Sequence, residues 1–245
     1  MTPSAQGAGV ELAYLEHGSG PAVVLVHDMA SDHLDLEPLA LGLAGRARVI
    51  AYARRGYGGS TAPEPYLGTT VMEQAEDLAA LLRAIGAAPA VAVGAGFGAL
   101  VVLDLVLRHP GLVRAAVLGE PPLLAFVPGA ARALSDERVR IEAAVFADGP
   151  AAGVGAWLDA RPARAGRERA LAAHQAFFAD YAGLASRPVT RGELRSIGVP
   201  VAVVTGPQTQ PDLLAAAEAV AQLIPGAQRL TDGDLGAAAS ALLVD

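Results

Sequence analysis

Short runs that are apolar at every residue alternate with longer helical patterns, and this alternation constrains the fold more than any other feature. A continuous apolar run is typical of a strand buried on both faces. Strands of this kind separated by helices predict a parallel sheet with helices on both sides. The predicted strands are Pro21–His27, Arg48–Ala53, Ala90–Gly94, Ala115–Glu120 and Val199–Thr205.

Helical patterns connect these strands, and the chain length suits one α/β domain. The chain has 245 residues, of which 53% are hydrophobic, enough to bury one large core. Glu11–His17, followed by a Gly-Ser-Gly-Pro turn, predicts a strand that opens the sheet as a hairpin. The predicted helices are Asp32–Leu43, Val71–Ile85, Phe97–Arg108 and Asp212–Leu223.

One long segment, residues 121–196, contains no strand-like run. It carries one face with helical spacing, made of Leu171, His174, Phe178 and Tyr181. A helical insertion between two strands of a parallel sheet is well placed to cover the edge where ligands bind in open α/β folds. We therefore predict a core of residues 1–120 and 197–245, with residues 121–196 as a helical lid.

The charge balance and the missing residue types exclude several classes of function. The net charge is −7 with no basic run, so we expect no nucleic-acid partner. The absence of Lys excludes a Schiff base or covalently held pyridoxal, and the absence of Cys excludes thiol nucleophiles and thiolate metal sites. We expect no cofactor, and no metal site, since only a loose His/Asp cluster in residues 27–33 resembles a ligand set.

Neither a targeting signal nor a membrane span is apparent. The first nine residues have no basic or apolar region typical of a signal peptide, and the longest apolar run, Ala99–Leu107, is broken by Asp104. We expect a cytoplasmic protein with no membrane partner. The oligomeric state stays open, a homodimer included. The absence of Lys and Asn beside abundant Ala, Gly, Arg and Pro is typical of a high-GC genome.

Five short motifs follow the strands in a fixed order. They are His27-Asp28-Met29-Ala30-Ser31, Arg54-Arg55-Gly56-Tyr57-Gly58-Gly59-Ser60, Val93-Gly94-Ala95-Gly96-Phe97-Gly98, Arg108-His109-Pro110 with the strand to Glu120, and Ile197-Gly198-Val199-Pro200. Together they resemble the α/β-hydrolase fold superfamily over nearly the whole chain. The resemblance implies the α/β-hydrolase fold, a mostly parallel central sheet flanked by helices, with a helical lid.

The positions where this superfamily carries its Ser–His–acid triad hold other residues. Gly96 stands at the nucleophile position of the strand-to-helix elbow, and the loop after Thr205 has no acid before Asp212. Asp234 stands at the histidine position, and no histidine follows His174. Loss of the triad costs roughly 10⁴–10⁶ in turnover. The resemblance therefore implies the fold without triad hydrolysis.

Three carboxylates are expected at the old active site, and we predict them as catalytic residues. The resemblance places Asp28 beside Met29 and Phe97, whose backbone N–H groups bind the oxyanion in the superfamily. It places Glu120 at a strand end beside the elbow, and Asp234 at the position of the histidine. Converging carboxyls separate one another's pKa values, which suits a general acid with a general base. The alternative is structural: Asp28 and Asp234 cap turns or helices, and Glu120 pairs with an arginine.

The histidines and aromatic residues have two interpretations each. His27 resembles the architectural histidine of the superfamily's oxyanion loop, and a catalytic role is the alternative. Arg54 and Arg55 are predicted to hold their loop through hydrogen bonds. The aromatic residues of the predicted lid either roof the pocket or form the lid's own core. The predicted binding residues are Met29, Gly96, Phe97, Trp157, His174, Phe178 and Tyr181.

Two main classes of function remain. The first is a cofactor-free, non-hydrolytic enzyme (a cyclase, lyase or isomerase) that acts on a hydrophobic small molecule, as relatives in this superfamily do in bacterial natural-product biosynthesis. The second is a non-catalytic protein that binds a small molecule. A third is a hydrolase that uses Asp28, Glu120 or Asp234 with water. We prefer the first, because a retained pocket without a nucleophile fits retained ligand chemistry.

Overall fold

An eight-stranded sheet forms the centre of the computed structural model, which describes residues 2–162 and 165–243. The strands are β1 (Ser4–Gln6), β2 (Glu11–His17), β3 (Ala22–Val26), β4 (Arg48–Tyr52), β5 (Ala90–Ala95), β6 (Val113–Gly119), β7 (Val201–Val204) and β8 (Gln228–Leu230). Their order across the sheet is β1-β2-β4-β3-β5-β6-β7-β8. β1 and β2 join one edge antiparallel, and the other strands run parallel, which confirms the predicted mostly parallel sheet.

Helices cover both faces of this sheet. They are α1 (Glu37–Leu43), α2 (Val71–Ala84), α3 (Phe97–Arg108), α4 (Ala130–Asp148), α5 (Pro150–Asp159), α6 (Arg167–Ala172), α7 (His174–Gly183), α8 (Arg191–Arg195), α9 (Pro211–Leu223) and α10 (Leu235–Ala241). The predicted helix Asp32–Leu43 is divided into a 3₁₀ turn, His33–Leu36, and α1. Pro38 lies in the first turn of α1, where a missing N–H is tolerated.

Alternate residues of β3 enter two separate hydrophobic clusters. Val24 and Val26 pack in the cluster that includes α2 and α3, whereas Val23 and Leu25 pack in the cluster that includes α1 and α10. Both faces of the strand are therefore buried, which is why its sequence is apolar at every residue. Helix α3 packs against β5 and β6 and is buried along almost its whole length, which is why its sequence is also largely apolar.

The residues between β6 and β7, 121–196, are named the cap segment. The regular elements that the structure describes there are all helical, α4 to α8 with one 3₁₀ turn, in agreement with the sequence pattern. Aromatic rings form its core: the centroid of Phe177 lies 5.5 Å from Trp157, 5.2 Å from Phe178 and 5.9 Å from Tyr181. The action of this segment as a lid stays a prediction. Across the described helices, none has the length and apolar character needed to cross a membrane.

Candidate functional site

The loops that follow β3, β5, β6 and β7 meet around a cavity of about 540 Å³ at the carboxyl edge of the sheet. Its lining includes Asp28 after β3, Gly96 after β5, Glu120 after β6 and Thr209 after β7, with Arg161 from the cap segment. Strand β3 lies between β4 and β5, so the chain changes direction across the sheet at this point. Open α/β sheets bind ligands at such a switch point, which makes this cavity the candidate site.

Gly96 forms the tight turn between β5 and α3. Its φ of 53° and ψ of −120° are strained for a residue with a side chain. Its N–H donates to the carbonyl of Gly119 at 2.9 Å, which ties the turn to β6. The turn therefore has the strand-to-helix geometry predicted for the elbow, with a glycine at its apex.

The carboxylate of Asp28 lies against this turn. Its Oδ1 accepts hydrogen bonds from the N–H of Met29 at 2.8 Å and from the N–H of Phe97 at 2.9 Å. Phe97 is the first residue of α3, so the carboxylate also meets the positive end of the helix dipole. The two backbone donors that the sequence analysis assigned to an oxyanion thus bind a side chain of the protein itself.

The same carboxylate fills the space that a side chain at position 96 would need. A Cβ built on Gly96 would lie 2.6 Å from Oδ2 of Asp28 and closer still to Oδ1. Real Cβ atoms essentially never approach another heavy atom within 3.0 Å. Asp28 and Gly96 are therefore sterically complementary, and a serine at position 96 is incompatible with this position of Asp28.

Glu120 lies in the cavity wall at the end of β6, with a positive φ of 45° that is uncommon for a residue other than glycine. Its N–H donates to the carbonyl of Val204 at 2.9 Å, which holds the strained backbone in place. Its Oε1 accepts a hydrogen bond from the Thr209 hydroxyl at 2.5 Å, and that hydroxyl accepts one from the N–H of Gly206 at 2.8 Å. Glu120 is therefore held by threonine rather than by arginine.

Thr209 was missed by the sequence analysis. A hydroxyl three residues after Gly206 has no sequence signal of its own. Asp28 and Glu120, by contrast, were both predicted, and the structure brings them to the same cavity.

Asp234 is exposed and lies outside the cavity lining of the described residues. Its carboxylate accepts a hydrogen bond from the N–H of Ala237 at 2.8 Å and caps the N-terminus of α10. Its neighbours Gly233 and Leu235 line the cavity instead. The structure thus brings two of the three predicted carboxylates to the cavity, and the capping contact turns Asp234 toward its own helix.

His27 is completely buried and both of its ring nitrogens have backbone partners. Nδ1 lies 2.8 Å from the carbonyl of Asp28 and Nε2 accepts the N–H of Arg54 at 3.0 Å, so the proton resides on Nδ1. Burial, with the Arg54 charge in addition, lowers the pKa of His27 well below its ordinary value. These contacts assign His27 the architectural alternative rather than the catalytic one.

Arg54 holds the loop after β3 from its buried side, whereas the sequence predicted that it holds its own loop. Its Nε donates to the carbonyl of His27 at 3.0 Å and its Nη2 to the carbonyl of Asp28 at 3.1 Å. Arg55 instead holds α2 through its ion pair with Asp77. One guanidinium, that of Arg54, therefore fixes the carbonyls of residues 27 and 28, directly before the amide of Met29.

The binding residues predicted in the cap segment lie elsewhere. Trp157, Phe178 and Tyr181 pack around Phe177 in the aromatic core of the cap segment, and His174 begins α7. Within the described residues, none of these four predicted residues lines the cavity, whose cap contacts come from Arg161, Pro162 and Ala165. Leu171, Phe178 and Tyr181 of the predicted helix face therefore pack in the core, which is the alternative that the sequence left open, although the face is divided between α6 and α7.

Met29 and Phe97 contribute their backbone N–H groups to the site, whereas their side chains are buried in the core. Residues 2–162 and 165–243 contain no group of three or more acidic or histidine side chains arranged to hold a metal ion.

Two curated relatives match part of the chain. The uncharacterized hydrolase YraK of Bacillus subtilis is 35% identical over 124 residues, which are 51% of this chain and 46% of that protein. The 2-(acetamidomethylene)succinate hydrolase of Mesorhizobium japonicum is 34% identical over 108 residues, which are 44% of this chain and 38% of that protein. The matches thus span less than half of the length of either relative.

Solved structures match along nearly the whole chain. An α/β hydrolase from Sphaerobacter thermophilus has a TM-score of 0.77 and 25% identity, over 98% of both chains. A thermophilic esterase from Thermogutta terrifontis has a TM-score of 0.76 and 22% identity, over 94% of this chain and 89% of that one. The family model for the alpha/beta hydrolase fold matches residues 21–240. The chain therefore belongs to the α/β-hydrolase fold family.

Proposed function

We propose that this protein is a cofactor-free, non-hydrolytic enzyme of the α/β-hydrolase fold. It acts as a cyclase, lyase or isomerase on a hydrophobic small molecule, in bacterial natural-product biosynthesis, with Asp28 and Glu120 as the proton-transfer pair. The observation that carries the proposal is the position of Asp28 Oδ1, 2.8 Å from Met29 N and 2.9 Å from Phe97 N. The absence of a working Ser–His–acid triad is part of the same proposal.

A carboxylate at these two amides opposes ester or amide hydrolysis. Removal of one donor from an oxyanion hole lowers turnover by about 10²–10³, because the donors stabilise charge that develops in the transition state. Here both donors already bind a carboxylate, whose charge would repel a developing oxyanion. Position 96 adds no nucleophile. Chemistry that requires only proton transfer avoids both obstacles.

Proton transfer requires one group that accepts a proton and another that supplies one. Oδ1 of Asp28 accepts two amide hydrogens and Oε1 of Glu120 accepts the Thr209 hydroxyl, and both residues line the cavity that would hold the ligand. One carboxylate removes a proton from a C–H or O–H of the ligand, and the other carboxylic acid protonates a second ligand atom. The product is an isomer, or an elimination product where the protonated group departs.

The size of the cavity suits a small molecule, and two charged residues of its wall already have partners in the protein. A volume of about 540 Å³ lies within the range of roughly 300–1,000 Å³ that is typical of small-molecule sites. Two charged residues of the cavity wall form ion pairs with residues outside the cavity lining, Asp35 with Arg169 at 2.5 Å and Arg161 with Glu137 at 2.8 Å. Neither needs a charged group of the ligand for its partner.

The second candidate function is binding without turnover. It is favoured by the hydrogen bonds that already hold one oxygen of Asp28 and one of Glu120, since a general acid or base has to exchange its proton with the ligand. In this function the two carboxylates would accept hydrogen bonds from hydroxyl groups of a ligand that leaves unchanged.

The test combines native mass spectrometry of the purified protein with product analysis. The protein is incubated with a panel of polycyclic and polyketide-like molecules and, separately, with p-nitrophenyl esters. Asp28→Asn and Glu120→Gln are compared with wild type, and Asp136→Asn, an exposed substitution on α4, is the control for lost charge.

We expect conversion of a bound molecule to an isomer or an elimination product, lost in both site variants and kept in the control. A molecule that binds and is recovered unchanged would refute catalysis and support the binding function. Ester hydrolysis that resists serine-directed reagents and disappears in Asp28→Asn would refute the non-hydrolytic proposal in favour of a relocated hydrolytic site.

A further inference from the structure

A buried ion pair connects the cap segment to the loop that carries Asp28. Asp180 of α7 is completely buried, and its two carboxylate oxygens accept from Arg54 Nη1 at 3.0 Å and Nη2 at 2.7 Å. The same carboxylate also accepts a hydrogen bond from Gln74 Nε2 at 2.6 Å and one from the Tyr57 hydroxyl at 2.8 Å. Asp180 thus receives four hydrogen bonds in a region without solvent, and this geometry fixes the plane of the Arg54 guanidinium.

The other hydrogen bonds of that guanidinium go to fixed acceptors, and it also lies over the rings of Tyr57 and Phe97, with Cζ 4.9 and 4.8 Å from the ring centroids. Nη1 also donates to Gln74 Oε1 at 2.6 Å, while Nε and Nη2 donate to the carbonyls of His27 and Asp28. The chain of contacts therefore runs from α7 through Asp180 and Arg54 to the backbone of Asp28. Burial alone would lower the pKa of Arg54, but the charge of Asp180 raises it above its ordinary value, so the cation persists.

We propose that Asp180 is the positioning residue of the site: by orienting Arg54, it fixes the backbone of residues 27 and 28 so that the Asp28 carboxylate stays on the amides of Met29 and Phe97. The inference rests on the proposed function, in which Asp28 transfers a proton. The cap segment thus takes part in the chemistry through the backbone beneath the cavity, rather than through its aromatic residues.

The adjacent Arg55 provides a matched comparison. Its Nε and Nη2 donate to the two oxygens of the buried Asp77 at 2.6 and 3.0 Å. Asp77 also accepts the N–H of Ala8 at 2.9 Å, so this pair connects α2 to the turn between β1 and β2. Both pairs are buried arginine–aspartate contacts of similar geometry, but only one of them leads to Asp28.

The test records the backbone amide signals of Met29 and Phe97 by ¹H–¹⁵N NMR in Asp180→Asn and Asp77→Asn. Asp28→Gly, which removes the acceptor, defines the direction in which these signals move when the contact is lost. We expect both signals to move in that direction in Asp180→Asn and to stay at their wild-type positions in Asp77→Asn. A merely structural role would move them equally in the two variants.

Tyr57→Phe provides a milder variant if Asp180→Asn does not fold. It removes one hydrogen bond to Asp180 and keeps the ion pair, so we expect a smaller displacement in the same direction. Unmoved signals in a folded Asp180→Asn, or in Tyr57→Phe when Asp180→Asn is unfolded, would refute the inference. Because the signals are recorded without a ligand, a displaced signal together with an inert protein would refute the proposed function and leave the positioning role standing.

Discussion

Gly96→Ser places a side chain in the space that Asp28 occupies. The new Cβ would lie 2.6 Å from Oδ2 and closer to Oδ1, so the carboxylate has to leave the amides of Met29 and Phe97. The substitution that would supply a nucleophile is therefore expected to destabilise the native state, unless Asp28 is replaced as well.

The magnitude follows from three contributions. A residue other than glycine at φ 53° adds strain of roughly 1–3 kcal/mol, and overpacking adds roughly 1–3 kcal/mol. Loss of two hydrogen bonds to a charged group adds about 1.5–3 kcal/mol each, less whatever the displaced carboxylate regains from water. Together these contributions amount to about 5–12 kcal/mol before that recovery, so we expect Gly96→Ser to lower the free energy of unfolding by at least about 3 kcal/mol, a large part of the roughly 5–15 kcal/mol of a typical domain.

A double-mutant cycle measures the steric coupling. Urea unfolding of wild type, Gly96→Ser, Asp28→Gly and the double variant gives four free energies, and we expect a favourable coupling of at least about 2 kcal/mol, because Asp28→Gly removes the clash. Gly98→Ala is the control. Its Cβ would overlap the backbone carbonyls of Val26 and His27 rather than the side chain of Asp28, so loss of that side chain in Asp28→Gly gives it no relief.

Two results would refute this reasoning. The first is a Gly96→Ser variant as stable as wild type, which would mean that Asp28 leaves the amides at no cost. The second is additivity within about 0.5 kcal/mol, since neighbouring residues that compete for one space cannot act independently.

Three further predictions concern the rest of the molecule. Asp234→Ala is expected to lower the free energy of unfolding in urea by about 1 kcal/mol, whereas Asp234→Asn should hardly change it, because Asn also caps helices. Lost turnover in Asp234→Asn at unchanged stability would support a catalytic role of Asp234. Burial lowers the pKa of His27 and His33 below the ordinary 6.5, so the unfolded chain binds protons before the folded protein does as the pH falls. The free energy of unfolding should therefore decrease below about pH 6.5, by up to ~1.4 kcal/mol per pH unit for each histidine. Equal stability at pH 7.5 and 5.5 would contradict this. Phe177→Ala is expected to lower the free energy of unfolding by about 3–5 kcal/mol. The unfolding midpoints from the fluorescence of Trp157, the single tryptophan, and from far-UV circular dichroism should coincide. Separate midpoints would mean that the cap segment unfolds alone.

The sequence predicted the strands β3 to β7 because a strand buried on both faces has to be apolar at every residue. It missed β1 and β8, which have three residues each and lie at the two edges of the sheet. A strand this short has no periodicity to detect.

The sequence also predicted two residues of the cavity lining, Asp28 and Gly96. Gly96 and Asp28 could be identified from their places after β5 and β3, since the carboxyl ends of neighbouring parallel strands meet at one edge. What the sequence could not assign was which alternative each polar residue takes. Asp234 and His27 matched a catalytic position as well as a structural one, and only the hydrogen bonds to Ala237, Arg54 and Asp28 distinguish them.

By itself, then, the sequence determined the parallel sheet, the helical character of the cap segment and the absence of a nucleophile at position 96, because these depend on residue types and local periodicity. The tertiary structure decided that Asp28 accepts from the amides of Met29 and Phe97, that Glu120 is held by Thr209, and that Asp180 reaches Arg54. Three of these contacts join residues 69, 89 and 126 positions apart in the chain. No local pattern encodes such pairs, since they exist only once the loops meet at the edge of the sheet.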